Sequence, residues 1–192
     1  MGKSFTGSSD PINAELHLEF PHSFEVQFLQ ETLGTGLRYF PAARHHDCDG
    51  LLLQVVPGSA HPWSGLFAAK PSGHYTNGVY SCPDANSLCV VSNGAGYLLD
   101  VRDPDGYQEI PISPVLHVIA EPDTGLLVFA NFTDVLAWGR SGKQWLAEHV
   151  SFDGIQNLRT ETGILRGVAW SPMDGEHPFA LDLATGAASP AQ

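Results

Sequence analysis

Short apolar runs separated by turn-forming residues are the feature that most constrains how this chain folds. From residue 76 onward, these runs alternate with turn signals at residues 83–84, 104–106, 122–125 and 141–142. Glycine, proline and aspartate favour such turns because they adopt the required backbone angles or bond to the local backbone. No segment keeps the i, i+3, i+4 apolar pattern of an amphipathic helix for ten residues. The sequence therefore predicts an all-β fold of short antiparallel strands.

The predicted strands differ in how their apolar residues are arranged. Residues 23–28 alternate apolar and polar side chains, which is typical of a strand with one buried face. Residues 51–56 form an apolar run in which only Gln54 is polar, which predicts a strand buried on both faces. Residues 32–44 are interrupted by glycine and proline and are expected to be irregular. The best helix candidate, residues 144–149, is only six residues long.

A repeat is visible in the second half of the chain. A shift of 38 residues places Leu88 on Leu126 and Asn93 on Asn131, and each copy follows a Pro-Asp pair. A third and looser copy begins near Ile164. A period near 40 residues with paired strands is typical of propeller blades.

One segment of the repeat resembles a known motif. Residues 135–145 (VLAWGRSGKQW) are similar to the blade motif of quinoprotein-like β-propellers, and residues 179–186 have the companion Asp…Thr-Gly form. The resemblance covers roughly residues 76–186 and implies blade-like β-meanders. A closed propeller needs at least four blades of about 40–50 residues, and we expect 192 residues to hold about three alongside other material. No position matches the cofactor-binding residues of quinoproteins, so the resemblance implies no quinone cofactor.

The expected fold is therefore an all-β, antiparallel, multi-stranded meander that is either partial-propeller or sandwich-like. We expect a flexible N-terminal tail over residues 1–11 and a single all-β domain over residues 12–186. Within that domain, residues 12–75 are an irregular β region and residues 76–186 the repeat-like β-meander. Residues 187–192 are expected to form a flexible C-terminal tail.

The charge of the chain excludes several classes of partner. Twenty-one Asp and Glu against nine Lys and Arg give a formal net charge of −12, which repels phosphate backbones and anionic lipids. Binding to nucleic acid or to a membrane is therefore not expected. The first ten residues lack the apolar core of a secretion signal, so a cytoplasmic location is expected. A protein or a small molecule remains as the partner, and a homo-oligomer is a further alternative.

The cluster His45, His46, Asp47, Cys48 and Asp49 carries the side chains most suited to chemistry. Imidazole, thiolate and carboxylate are all metal ligands. His45, His46, Asp47 and Asp49 are the catalytic candidates, and the last three are the candidates for binding a divalent metal. The alternative is an Asp-Gly turn that enters a buried strand, because leucines follow where a calcium loop needs oxygen ligands. No other cofactor is predicted.

Two further groups of side chains leave alternatives open. Cys82 and Cys89 flank a predicted hairpin, where they could form a disulfide or remain as buried free thiols.

Tryptophan side chains anchor binding interfaces as well as hydrophobic cores. The four binding candidates are Trp63, Trp138, Trp145 and Trp170.

The motif content favours binding over catalysis. The sequence contains neither a Gly-x-Ser-x-Gly elbow nor a complete phosphate loop. The favoured hypothesis is a non-catalytic binding or protein-interaction module, which could be an acidic protein of the immunity type that neutralises a basic partner. The alternatives are an enzyme, hydrolase-like, with a spatially assembled His/Asp site, and an assembly subunit whose partial propeller is completed by a second copy.

Overall fold

The computed structural model describes residues 13–31, 36–41 and 48–190, and their regular secondary structure consists entirely of strands. This confirms the predicted all-β fold, in which most strand pairs are antiparallel as expected. None of the described residues belongs to a helix that could cross a membrane. In chain order the strands are β1 (Glu15–His17), β2 (Phe24–Phe28), β3 (Arg38–Phe40), β4 (Gly50–Pro57), β5 (Trp63–Ala68), β6 (Gly78–Ser81), β7 (Ser87–Ser92), β8 (Ala95–Asp100), β9 (Asp103–Glu109), β10 (His117–Glu121), β11 (Leu126–Ala130), β12 (Val135–Gly139), β13 (Gly142–Ala147), β14 (Ile155–Glu161), β15 (Ile164–Ser171) and β16 (Gly175–Asp182).

The strands form four sheets that follow one another along the chain. Sheet I has the order β2-β4-β5-β3, sheet II β1-β6-β7-β8-β9, sheet III β10-β11-β12-β13 and sheet IV β14-β15-β16. Neighbouring strands are antiparallel apart from two edge pairs, β1 with β6 and β3 with β5. Residues 187–189, within the predicted C-terminal tail, extend sheet IV. There the N–H of Ser189 donates to the carbonyl of Ala180 (2.8 Å) and Ala188 pairs with Leu181.

Three hydrophobic cores join the four sheets into a stack. Sheets I and II share a core that contains Phe67 and Val90. The opposite face of sheet II packs on sheet III through residues such as Leu98 and Phe129. The far face of sheet III packs on sheet IV, and Leu165 lies fully buried there. The order of the sheets in the stack is therefore their order in the chain.

The position of each sheet in this stack explains its apolar pattern. Strands β7, β11 and β12 are almost continuously buried because sheets II and III are covered on both faces. Sheets I and IV terminate the stack, and their long strands alternate buried and partly exposed residues. The prediction that residues 51–56 are buried on both faces is therefore wrong. Leu53 is fully buried, whereas its neighbours Leu52 and Gln54 are only half-buried on the outer face of sheet I.

Other differences from the predicted elements have local causes. The turn expected at residues 104–106 lies inside β9, because the chain already reverses at residues 101–102, where Asp100 pairs with Asp103. The helix candidate at residues 144–149 mostly belongs to β13. The region expected to be irregular contains β3, where Phe40 stacks on Phe67 with ring centroids 4.3 Å apart. Tertiary packing supplies the partner that makes this glycine-flanked segment a strand.

The 38-residue repeat corresponds to equivalent positions in successive sheets. Leu88 and Leu126 lie in the second strands of the meanders in sheets II and III, β7 and β11. Asn93 and Asn131 lie in the loops that follow those strands. The repeat therefore has a structural meaning, and its two asparagines lead to the site described next.

Candidate functional site

Most of the exposed large apolar side chains lie together at one end of sheets III and IV. Six large hydrophobic residues of the described part of the chain are exposed, and four of them belong to this end. They are Phe132 (39% exposed), Phe152 (68%), Trp170 (36%) and Met173 (91%). We call these four residues, together with the half-buried Tyr75, the aromatic edge. A soluble protein rarely groups exposed aromatic side chains without a use for them.

Four separate segments supply the aromatic edge, and backbone hydrogen bonds and ring contacts hold them together. The N–H of Phe152, which precedes β14, donates to the carbonyl of Trp170 near the end of β15 (2.9 Å). The N–H of Gly154 donates to the carbonyl of Phe132, in the loop between β11 and β12 (2.9 Å). The rings of Phe152 and Trp170 are 6.0 Å apart, and that of Tyr75 meets Phe132 edge-on at 6.5 Å. The segments are thus fixed relative to one another.

Two buried polar side chains lock the loops beneath the edge. Asn131 is 8% exposed, and its Oδ1 accepts the N–H groups of Thr133 (2.8 Å) and Asp134 (2.7 Å). Ser151 is 5% exposed, and its hydroxyl lies 2.7 Å from the carbonyl of Gly154 and 2.9 Å from the N–H of Trp170. Buried groups with satisfied hydrogen bonds hold a loop in one conformation. The loops that carry the aromatic edge are therefore preorganised.

The Asp134 carboxylate holds the neighbouring backbone beneath the aromatic edge by hydrogen bonds. One oxygen accepts the backbone N–H of His149 and the other accepts the hydroxyl of Thr133, both at 2.9 Å. Burial alone would raise the pKa of Asp134, but these hydrogen bonds, with Asn131, lower the pKa below its usual range. His149 has a left-handed φ of 58°, which is uncommon for a non-glycine residue, and the hydrogen bond from its N–H to Asp134 holds the backbone there.

Asn93 holds the corresponding loop of sheet II. Its Oδ1 accepts the N–H of Tyr75 (2.7 Å), and its own N–H donates to Oδ1 of Asn77 (2.7 Å). The asparagines aligned by the repeat, Asn93 and Asn131, are therefore both loop-capping residues, and each positions a segment that carries an aromatic side chain. The repeat was the signal in the sequence for this site, but the aromatic residues themselves do not repeat.

Carboxylates border the aromatic edge. Asp153, Asp174 and Glu176 are exposed. Glu176 lies directly opposite Trp170 in the pairing of β15 with β16, and residues opposite each other in an antiparallel pair point to the same face. The surface thus combines apolar rings with negative charge.

Of the four tryptophans predicted to bind a ligand, only Trp170 lies on this edge. The indole N–H of Trp63 donates to the carbonyl of Val101 (2.9 Å), and that of Trp145 donates to the carbonyl of Leu183 (2.8 Å). Trp138 is partly buried against the core between sheets II and III. These three indoles therefore pack within or between sheets. Phe132, Phe152 and Met173 did not stand out in the sequence.

The predicted His/Asp cluster is described only in part. His45, His46 and Asp47 lie outside the described residues, while Asp49 is exposed and Cys48 is half-buried. Within residues 13–31, 36–41 and 48–190, no three His, Cys, Asp or Glu side chains are grouped so that they could hold a metal ion.

Cys82 and Cys89 are buried free thiols. Cys89 lies opposite Tyr80 in the pairing of β6 with β7, and Cys82 follows two residues after Tyr80, so the two cysteines are diagonal neighbours. Diagonal positions are about 7–8 Å apart, which exceeds the usual Cα separation of a disulfide. Burial raises the pKa of both thiols, as do the charges of Asp84 near Cys82 and of Cys82 near Cys89.

No family model matches the sequence, and no curated protein is a significant match. Several solved structures are similar at low identity. The computationally designed Ika4 protein is 16% identical with a TM-score of 0.39, covering 56% of this chain and 66% of that one. The extracellular domain of a one-component system from B. thetaiotaomicron is 11% identical with a TM-score of 0.46, covering 83% and 26%. A eukaryotic initiation factor is 15% identical with a TM-score of 0.41, covering 86% and 42%. This chain spans between 26% and 66% of the length of these proteins.

Proposed function

We propose that this protein is a non-catalytic protein-interaction module and that the aromatic edge is its contact surface. The observation that carries the proposal is the grouping of Phe132, Phe152, Trp170 and Met173, which are four of the six exposed large hydrophobic residues in the described chain. Aromatic residues and methionine are enriched where proteins meet, and aromatic rings remove much apolar surface from water for few rotatable bonds. Isolated exposed apolar residues would need no such explanation.

The rigidity of the edge supports the same function. Asn131 and Ser151 form hydrogen bonds with the loop backbone, so the backbone that carries these side chains is held before a partner arrives. A preorganised surface loses little conformational entropy on binding, and more of the contact energy then appears as affinity. In a partial propeller made of these four stacked sheets, the edge would belong to one end of the blades. A cytoplasmic location remains part of the proposal, and the free state of Cys82 and Cys89 is compatible with that reducing compartment.

The experiment compares capture of partners by matched variants. The edge variant carries Phe152→Ser, Trp170→Ser and Met173→Ser, and the control variant carries Leu16→Ser and Phe28→Ser. The control positions are 41% and 37% exposed and lie elsewhere, so both variants lose exposed apolar surface. Immobilised wild-type, edge and control proteins are incubated with lysate of the producing cells, and unfolding in urea verifies that all three are folded.

The expected result is a partner retained by the wild type and the control but lost from the edge variant. Hydrogen exchange of the purified complex should then show protection at residues 148–154 and 170–174. A partner retained equally by all three proteins, or protection confined to other surfaces, would refute the proposal. Self-association lost only in the edge variant would identify the partner as a second copy of this chain.

A further inference from the structure

We propose that the Trp170 end of the aromatic edge binds an arginine side chain on a basic segment of the partner. This inference rests on the proposed function and specifies the chemistry of the partner. It depends on one ring pair, Phe152 with Trp170, and on one carboxylate, Glu176, which the fold places beside the indole.

The ring pair offers apolar surface on which a flat cation can stack. The planes of Phe152 and Trp170 are inclined by 58° with centroids 6.0 Å apart, so the rings form a corner and do not cover each other. Phe152 is 68% exposed and Trp170 is 36% exposed. A guanidinium or ammonium group above an indole is attracted by the negative face of the ring, and tryptophan is the strongest partner of this kind.

Glu176 supplies the charge that such a cation needs. Its position directly opposite Trp170 in the β15–β16 pair places the two Cβ atoms about 5 Å apart on one face of the sheet. Glu176 is exposed, and no hydrogen bond or ion pair joins its carboxylate to another described residue. Asp153 and Asp174 add negative charge on the two loops beside the rings.

The outer face of sheet IV also carries cations, but they lie further along it. Arg166 is four residues before Trp170 on β15, about 13 Å away at the rise of a strand, and its Nε is 3.7 Å from the Glu161 carboxylate. Arg159 lies opposite Arg166. The Trp170 end is therefore the acidic end of this face, in a chain whose formal net charge is −12.

Arginine fits this arrangement better than lysine or a purely apolar residue. Its planar guanidinium stacks on a ring while its N–H groups donate in pairs to a carboxylate, whereas the ammonium of lysine is compact and strongly hydrated. An apolar side chain would cover the rings but would also remove water from the Glu176 carboxylate without replacing its hydrogen bonds.

The test uses short synthetic peptides and NMR. The probe is acetyl-Ser-Gly-Arg-Gly-Ser-amide, compared with peptides that carry lysine or the uncharged analogue citrulline in place of arginine. Titrations at 150 mM salt follow the indole N–H signal of Trp170. The arginine peptide should bind about fivefold to tenfold more tightly than the citrulline peptide, and more tightly than the lysine peptide.

Matched variants then separate local from general electrostatics. Glu176→Gln should weaken the arginine peptide about threefold, whereas Glu25→Gln, which removes one exposed charge from sheet I, should change the affinity little. Equal binding of the arginine and citrulline peptides, or equal effects of the two variants, would overturn the arginine site. If the edge variant still lost its partner in the capture experiment, the interaction module would stand without that site. If all proteins captured the partner equally, the proposed function itself would fail.

Discussion

Gly186→Ala tests directly whether the stacked sheets are packed as described. Gly186 has φ of +71°, and a Cβ built on it would lie 2.7 Å from ring carbons Cδ2 and Cε3 of Trp145. The indole is 9% exposed and donates to the carbonyl of Leu183 at 2.8 Å, so it has little freedom to move. Trp145 belongs to sheet III, whereas Gly186 follows the last strand of sheet IV, and the substitution therefore strains the contact between sheets.

Gly125 provides a matched control for the backbone effect. Its φ is +67°, and an added Cβ would meet no heavy atom within 4 Å. Gly125→Ala should therefore cost only about 1 kcal/mol of unfolding free energy, which is the strain of a left-handed alanine. Gly186→Ala should cost the same plus about 1–3 kcal/mol for overpacking against a held ring, which makes a total of about 2–4 kcal/mol.

The assay is urea unfolding followed by tryptophan fluorescence, with the slope of the transition checked for each variant. In a Trp145→Leu background, most of the additional destabilisation of Gly186→Ala over Gly125→Ala should disappear, because the clashing ring is gone. Equal destabilisation by Gly125→Ala and Gly186→Ala would refute the packing of Trp145 against Gly186. An excess that persists without the indole would do the same.

Two further predictions concern buried or bonded titratable groups. In the native protein at pH 8, a thiol reagent should label Cys48 and spare Cys82 and Cys89, because burial raises the pKa values of the latter two and the thiolate is the reactive form. All three cysteines should react in urea. Rapid labelling of Cys89 in the native protein would contradict the core between sheets II and III. Asp134→Asn should lower the unfolding free energy by about 1 kcal/mol at pH 7. Because the pKa of Asp134 is lowered on folding, the stabilisation by its carboxylate is present above the unfolded pKa of about 3.9 and is lost as pH falls through the folded pKa. In urea titrations the difference in unfolding free energy between wild type and variant should therefore shrink toward pH 2, and a constant difference would contradict this role of the carboxylate.

Much of the fold could be predicted because strand and turn signals are local. Alternating residues in β2, the apolar run of β7 and the turn at residues 122–125 each depend on neighbours a few positions away. Where prediction failed, the deciding partner was distant in sequence. β3 forms because it pairs with β5 and Phe40 stacks on Phe67. The local sequence of β3 does not indicate that β5 will be its partner.

The candidate site was harder to predict than the fold for the same reason. Tryptophan content pointed to Trp63, Trp138 and Trp145, but an indole can pack within a core as readily as bind a ligand. Whether a given tryptophan is exposed depends on which sheet covers its face. Here sheet contacts bury Trp145, cover Trp63 and Trp138 in part, and leave Trp170 at the edge of the last sheet.

The sequence by itself determined that the chain is a series of short strands and turns, that it repeats over 38 residues, and that it carries a net charge of −12. Only the tertiary structure decided which sheets lie inside the stack and which loop residues meet. Phe132, Phe152 and Trp170 are about 20 residues apart in sequence, and they converge because successive strands return the chain to the same end of adjacent sheets. The local alternation of apolar and polar residues determines which face of each strand is buried. Which loops come together depends on how whole sheets stack, and that packing involves segments far apart in sequence.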